Sequence, residues 1–192
     1  RVLIPPAALY SASGAFANGA IVSGTGNGIN GTYYNTIDFS GTPGLQRIDA
    51  SGVAFNFGTA SPGGTVPAGV FSVLWSGNLN VPATATYTFY VVTQYGYQLF
   101  VDNAVTPIID ASGSPGYHTG TVALTSSSGG VYPTISMYYT AQGGGNQFAF
   151  MSWSGGSLPW TLTPGDRLYD GVGNGLAGQY YNASMPNSLP VV

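Results

Sequence analysis

Residues 86–92 read Thr-Tyr-Thr-Phe-Tyr-Val-Val, and this stretch decides the fold class. Tyr87, Phe89 and Val91 alternate with Thr86, Thr88, Tyr90 and Val92, so side chains divide between two faces with a period of two. β-branched and aromatic residues suit a pleated surface and lose rotamer freedom in a helix. Related runs stand on either side. Phe71-Ser72-Val73-Leu74-Trp75-Ser76 precedes it across a Gly-Asn break, and Tyr97-Gln98-Leu99-Phe100-Val101 follows. Residues 119–124, 134–139 and 147–153 complete the set, with 30 Gly and 13 Pro as punctuation. Short β-branched and aromatic runs at this spacing predict an all-β antiparallel sandwich or barrel. No window sustains a 3.6-residue apolar period together with helix caps.

The 192 residues suit one ordinary domain plus connectors. Nine side chains are formally charged, three Arg and six Asp, whereas soluble domains carry about a quarter charged residues. Such a surface has little colloidal repulsion and is suited to contact with copies of itself or with glycan. A net charge of −3 with scattered Arg lacks the basic stripe that nucleic acid requires. Apolar runs are interrupted well before about 18 residues, so no membrane insertion is expected. The absence of Cys removes disulfides, zinc-thiolate sites and thiol nucleophiles together.

Two echoes organise the chain. Residues 26–35, Gly-Asn-Gly-Ile-Asn-Gly-Thr-Tyr-Tyr-Asn, match residues 173–182, Gly-Asn-Gly-Leu-Ala-Gly-Gln-Tyr-Tyr-Asn, at seven of ten positions. Leu3-Ile4-Pro5 and Leu9-Tyr10 match Leu162-Thr163-Pro164 and Leu168-Tyr169. Repetition of this kind predicts a window on a tandem array. Residues 1–10 are the closing strand of a preceding repeat and 11–25 a connector. Residues 26–170 are one complete unit, and 171–192 hold a short connector and the opening strand of a following repeat. Tyr10, Phe16, Ile21, Val22, Tyr180 and Tyr181 are the expected inter-unit contacts, because a purely solvated linker has no need of them.

Specific residues add a resemblance. Gly28-Ile29-Asn30-Gly31-Thr32-Tyr33-Tyr34, Phe55-Asn56-Phe57-Gly58, and Ser61-Pro62 with Val66-Pro67 occur in that order before Phe71–Gly77. Tyr87–Tyr90, Gly96–Asp102, Tyr138-Tyr139 with Gly143-Gly144, and Phe150–Ser154 follow. The series resembles the PA14 domain across residues 28–169. That resemblance implies a β-sandwich module of toxins, secreted glycosidases and adhesins, serving as spacer, assembly domain or lectin. The lectin members bind glycan through calcium held by neighbouring Asp residues just before the Gly-x-x-Leu-(Trp/Phe)-Val-Asp strand. Aligned on Gly96, that pair falls on Gln94 and Tyr95, neither a carboxylate. Calcium takes six to eight oxygens with anionic ligands among them, so no metal or cofactor is expected. Gln94, Tyr95 and Tyr97 remain the expected binding residues, since Tyr faces stack on sugar rings and keep a hydroxyl for hydrogen bonding.

Other constellations carry no catalytic expectation. His118, Asp110, Ser112 and Ser114 lie close in sequence, but no Gly-x-Ser-x-Gly elbow accompanies them. Asp102 reads as a turn residue, Asp166 and Asp170 flank Arg167, and Arg47 lies close to Asp38 and Asp49, all as local pairs or turns. No two carboxylates are placed for glycoside hydrolysis. Asn30-Gly31-Thr32 and Asn182-Ala183-Ser184 are N-glycosylation sequons. The expectation is a non-enzymatic structural and adhesive module of an extracellular, cell-surface tandem-repeat protein or filament. Its partners are neighbouring repeats, through inter-unit packing and strand exchange. The alternatives are a calcium-independent glycan-binding adhesin domain, with carbohydrate as partner, and a non-catalytic accessory module of a secreted hydrolase.

Overall fold

The predicted alternation becomes twelve strands in a computed structural model that describes residues 26–171. Tyr10, Phe16, Ile21, Val22, Tyr180, Tyr181 and Asn182 lie outside the described residues, as do segments 1–25 and 172–192. The strands are β1 (Ile29–Tyr34), β2 (Leu45–Asp49), β3 (Ala54–Gly58), β4 (Val70–Leu79), β5 (Ala85–Thr93) and β6 (Tyr97–Val101). They continue with β7 (Ile109–Asp110), β8 (Gly116–Leu124), β9 (Thr134–Gln142), β10 (Gln147–Gly155), β11 (Leu158–Leu162) and β12 (Leu168–Tyr169). No α-helix occurs among the described residues, and none of their helical turns is long and apolar enough to cross a membrane.

All pairings are antiparallel, and they build two sheets. The larger runs β2-β1-β4-β9-β6-β7, with β12 also on β4; the smaller runs β11-β10-β5-β8, with β3 also on β10. The deciding stretch sits in β5, at the middle of the smaller sheet. There Tyr87, Phe89 and Val91 are fully buried, as the two-residue period requires. Facing them from the larger sheet are Phe71, Val73 and Trp75 of β4, Tyr97, Leu99 and Val101 of β6, and Ile135, Met137 and Tyr139 of β9. The two inner faces form one continuous apolar core.

One charged group enters that core. Asp49 is 4% exposed and accepts hydrogen bonds from the Tyr33 hydroxyl at 2.6 Å and the Trp75 indole at 2.8 Å, while Arg47 Nε donates to it at 2.6 Å. Arg47 also donates to Tyr33 Oη and Pro62 O, and its guanidinium lies 4.8 Å from the Tyr33 ring centroid. A buried carboxylate persists when its oxygens are occupied in this way. Burial, with Asp49 adjoining, holds the Tyr33 hydroxyl protonated by raising its pKa. Gly31 sits where any Cβ would meet Asp49 Oδ2 and the Tyr33 ring, so the close approach explains that glycine.

The opening and closing segments of this unit meet. Strand β12 pairs with Asn78 and Leu79 of β4 and so continues the line of β1, which pairs with Ser72–Ser76. Gly26 and Gly28 donate to Asp166 O and Leu168 O, and Asp170 N donates to Asn27 Oδ1.

Candidate functional site

Alternation that buries Tyr97, Leu99 and Val101 turns Gln98 and Phe100 outward on β6, and on β9 it turns out Thr134, Ser136 and Tyr138. Because β6 and β9 pair in register, Gln98 stands opposite Tyr138 and Phe100 opposite Ser136. With Asn103 and Ala104 these residues line a shallow groove of about 450 Å³ on the outer face of the larger sheet.

The turn at one end of the groove is well fixed. Asp102 and Asn103 both have positive φ, 60° and 56°, a pairing that suits the tight turn between β6 and the segment leading to β7. Asn103 N donates to Thr134 Oγ1 at 2.8 Å, and Thr134 Oγ1 donates back to Asn103 Oδ1 at 3.1 Å. The other end is walled by aromatic rings. Phe39, on the loop between β1 and β2, packs edge-on against Tyr138 at 5.2 Å and Tyr34 at 6.2 Å, and Tyr138 meets Phe100 edge-on at 5.7 Å. Phe39 itself has φ 61°, a conformation a bulky side chain adopts only when its surroundings impose it. Its N–H donates to Ser72 Oγ, and Asp38 closes the adjoining turn through Ser40 N and Oγ.

Around these rings the polar groups are neutral and largely uncommitted. Gln98 Oε1, Asn103 Nδ2 and the hydroxyls of Ser136 and Tyr138 have no partner among the described residues. Gln98 Nε2 donates to Asp110 Oδ2 at 3.0 Å, while Ser112 N and Oγ donate to Asp110 Oδ1. Those bonds, the Ser112 hydroxyl first, hold the exposed Asp110 carboxyl below its ordinary pKa. A second hollow, near Pro82, Ser127 and Gly130, is built differently. There Ser127 Oγ accepts from Val81 N and donates to Leu79 O, and Ser126 Oγ accepts from Ser128 N, so its polar groups already serve the fold.

The family model described as the PA14 domain matches residues 25–166. The chain belongs to the PA14 domain family. This PA14 domain is 33% identical over 168 residues to the anti-sigma-I factor RsgI3 of Acetivibrio thermocellus, covering 83% of the chain and 25% of that protein. Among solved structures it resembles an anti-sigma factor domain-containing protein at 31% identity and a TM-score of 0.66, over 79% of this chain and 50% of that one. The A domain of epithelial adhesin 6 from Candida glabrata, solved with Galβ1-3GlcNAc, superposes with a TM-score of 0.58 over 78% of this chain and 89% of its own. At 14% identity that likeness is one of fold. The chain thus spans a quarter of the first of these anti-sigma relatives and half of the second.

The PA14 domain separates the three residues expected to bind. Gln94 is exposed at the β5–β6 turn, and its N–H donates to Phe148 O. Tyr95 is half-buried and packs against the core, with its hydroxyl where a Cβ on Gly143 or Gly145 would crowd it. The loop bearing those glycines is anchored by buried Gln147, whose Nε2 donates to Gly143 O at 2.7 Å. Tyr97 is 2% exposed and donates its hydroxyl to Val91 O, so its ring belongs to the core and presents no face to a ligand. Burial raises its pKa. Asn30 is half-buried on β1, in one cross-strand row with Ser76, Ser136 and Phe100, two strands from the groove. Arg47 pairs with Asp49, and Asp38 belongs to the Ser40 turn instead. His118 Nε2 lies 2.7 Å from Ser114 O, while Asp110 engages Ser112 and Gln98, so these residues form no nucleophile–base–acid series. No group of three His, Cys, Asp or Glu among the described residues is placed to hold a metal.

Sequence reasoning did not find the groove. The signal was present in Tyr138-Tyr139 and Leu99-Phe100, where alternation must send one of two bulky neighbours outward. What a linear reading lacks is the β6–β9 pairing that brings them together.

Proposed function

We propose that this PA14 domain is a non-catalytic adhesive module of an extracellular, cell-surface protein that recognises a neutral glycan without calcium. The observation that carries the reading is the groove itself, where Phe100 and Tyr138 stand among the uncommitted polar groups of Gln98, Asn103 and Ser136. Sugars offer C–H faces to aromatic rings and hydroxyls to neutral donors and acceptors, and this lining supplies both. The nearly uncharged chain offers no competing electrostatic partner. The Candida adhesin solved with a disaccharide, and another neighbour named a sugar-binding domain from an RTX adhesin, give the reading company within the fold.

A glycan array probed with and without chelator tests it, alongside Tyr138→Ala. Binding in both conditions that the variant loses is the expected result; no binding in either condition removes the reading, and loss on chelation alone returns it to a metal-dependent site.

The repeat at residues 173–182 supports a second reading, packing against neighbouring copies of the unit. Strand β1 is already paired on both edges, to β2 and β4, and Tyr33 is fully buried. Its echo, carrying Tyr180 and Tyr181, therefore calls for a second set of β2-like and β4-like partners. Limited proteolysis of a chain extended by one repeat should then leave 173–182 protected, whereas cleavage there at the rate of a free peptide would contradict it.

A further inference from the structure

The outer face of the smaller sheet has a different character from the groove. Strands β3, β5, β8, β10 and β11 contain no Asp, Glu, Lys or Arg. Their inward residues are core, so alternation leaves Tyr90, Val92, Phe150, Tyr117 and Leu162 on the outside, joined by Trp160. Register sets them in rows. Phe150 stands opposite Val92 and Val92 opposite Tyr117; Leu162 stands opposite Ser152, Ser152 opposite Tyr90, and Tyr90 opposite Thr119. Where the pairing of β10 with β11 shifts, Pro159 and Trp160 together face Ser154.

Three of these side chains are open to solvent, while Tyr90, Val92 and Phe150 are half-buried. Trp160 and Tyr117 are each 63% exposed and Leu162 is 45% exposed. The rings of Tyr90 and Tyr117 are near-parallel, 24° apart with centroids at 6.5 Å. Hydroxyls are threaded between the rings, with Tyr90 Oη and Ser154 Oγ 3.0 Å apart and Thr88, Thr119 and Thr121 on the same face. Contiguous exposed apolar area on a monomer marks a contact surface.

We infer that this face is a second carbohydrate surface, a platform for an uncharged polysaccharide chain, separate from the groove on the opposite sheet. Three features choose that occupant over a protein. The absence of charge along five strands matches a ligand without charge. The exposed rings of Tyr117 and Trp160, with Tyr90 near-parallel to Tyr117, offer apolar faces on which the C–H faces of sugar rings stack. Ser is depleted in protein interfaces, and here Ser and Thr hydroxyls fill the gaps between rings, where a hydroxylated ligand is matched by hydrogen bonding. Platform and groove lie on the outer faces of different sheets, so a chain bound on one makes no contact with the other.

The test is depletion binding of the full chain to microcrystalline cellulose, insoluble chitin and granular starch. Retention is expected on at least one. The double variant Trp160→Ala/Tyr117→Ala should weaken it about tenfold, the sum of two lost ring contacts, while Trp160→Phe keeps most of it. Circular dichroism with unchanged thermal midpoint shows that the variants fold. Absence of retention on all three solids overturns the inference even if soluble glycans bind the groove. So does retention that Tyr138→Ala removes, or self-association in sedimentation velocity that the double variant abolishes.

Discussion

Asp49 shows how a single residue can hold a unit closed. Its carboxylate collects Tyr33, Trp75 and Arg47 from three strands, and its removal would leave the Tyr33 hydroxyl and the Trp75 indole without an acceptor and cost Arg47 its ion pair. Asp49→Ala should therefore cost about 3–5 kcal/mol in urea unfolding, as breaking a buried pair from one side does. A loss under about 1 kcal/mol would show that the cluster is incidental. Tyr138 works at the same scale but in the open. Its ring and hydroxyl line the groove, so Tyr138→Ala should raise the Kd of the glycan about tenfold and leave the unfolding midpoint nearly unchanged. Asp110 gives the pH dependence. Its pKa is lowered in the folded state, so its hold on Gln98 is complete above the ordinary carboxylate range near 4 and fades only as pH falls through the lowered value. Glycan affinity should thus be flat from pH 8 to about 5 and decline only in stronger acid; a drop centred above pH 6 would contradict it.

At the scale of elements, the strands show what the chain discloses directly. Strand β6 spans the predicted 97–101, and β4, β5, β8, β9 and β10 extend the predicted runs by a few residues at their ends, because ladder hydrogen bonds continue past the strongest alternation. Tyr97 was legible as an inward strand residue from its spacing to Leu99 and Val101, and its neighbourhood to Gln94 was the weaker guide. Strand β11 was not legible, since Pro159 argues against a strand and is accepted there at a sheet edge beside a bulge. Nor was the loop after β1. A positive φ at Phe39 cannot be read from the residue, because the environment imposes it through Ser72, Tyr34 and Tyr138. That loop has a consequence for binding. Phe39→Ala frees the Tyr138 ring on one side and should weaken glycan binding several-fold, with the difference appearing in Kd by calorimetry and little in stability. Equal affinity for variant and parent would show that Tyr138 is held by Phe100 alone.

Across the whole molecule, the PA14 sandwich presents two unlike neutral surfaces on opposite sheets, the groove and the ring-bearing face, and both are proposed to take carbohydrate. Affinity at the groove should therefore change less than twofold between about 0.05 and 1 M salt, since screening acts on charged contacts; a steep salt slope would indicate a charged ligand and a different site. Low charge also explains why composition excluded nucleic acid at once yet was silent on where a sugar would sit. A site made of Gln, Asn, Ser, Tyr and Phe leaves no compositional trace in a chain where Asn, Ser and Tyr are common throughout. Its existence depends on pairing β6 with β9 and on folding the Phe39 loop over β4. The most direct test of calcium-free recognition at this groove is an amide NMR titration, in chelator, with a glycan that the array identifies. Shifts concentrated at Gln98, Phe100, Asn103 and Thr134–Tyr138 are the predicted result; shifts centred on Gln94–Gly96 and Gly143–Gly145, or none until calcium is added, would contradict it.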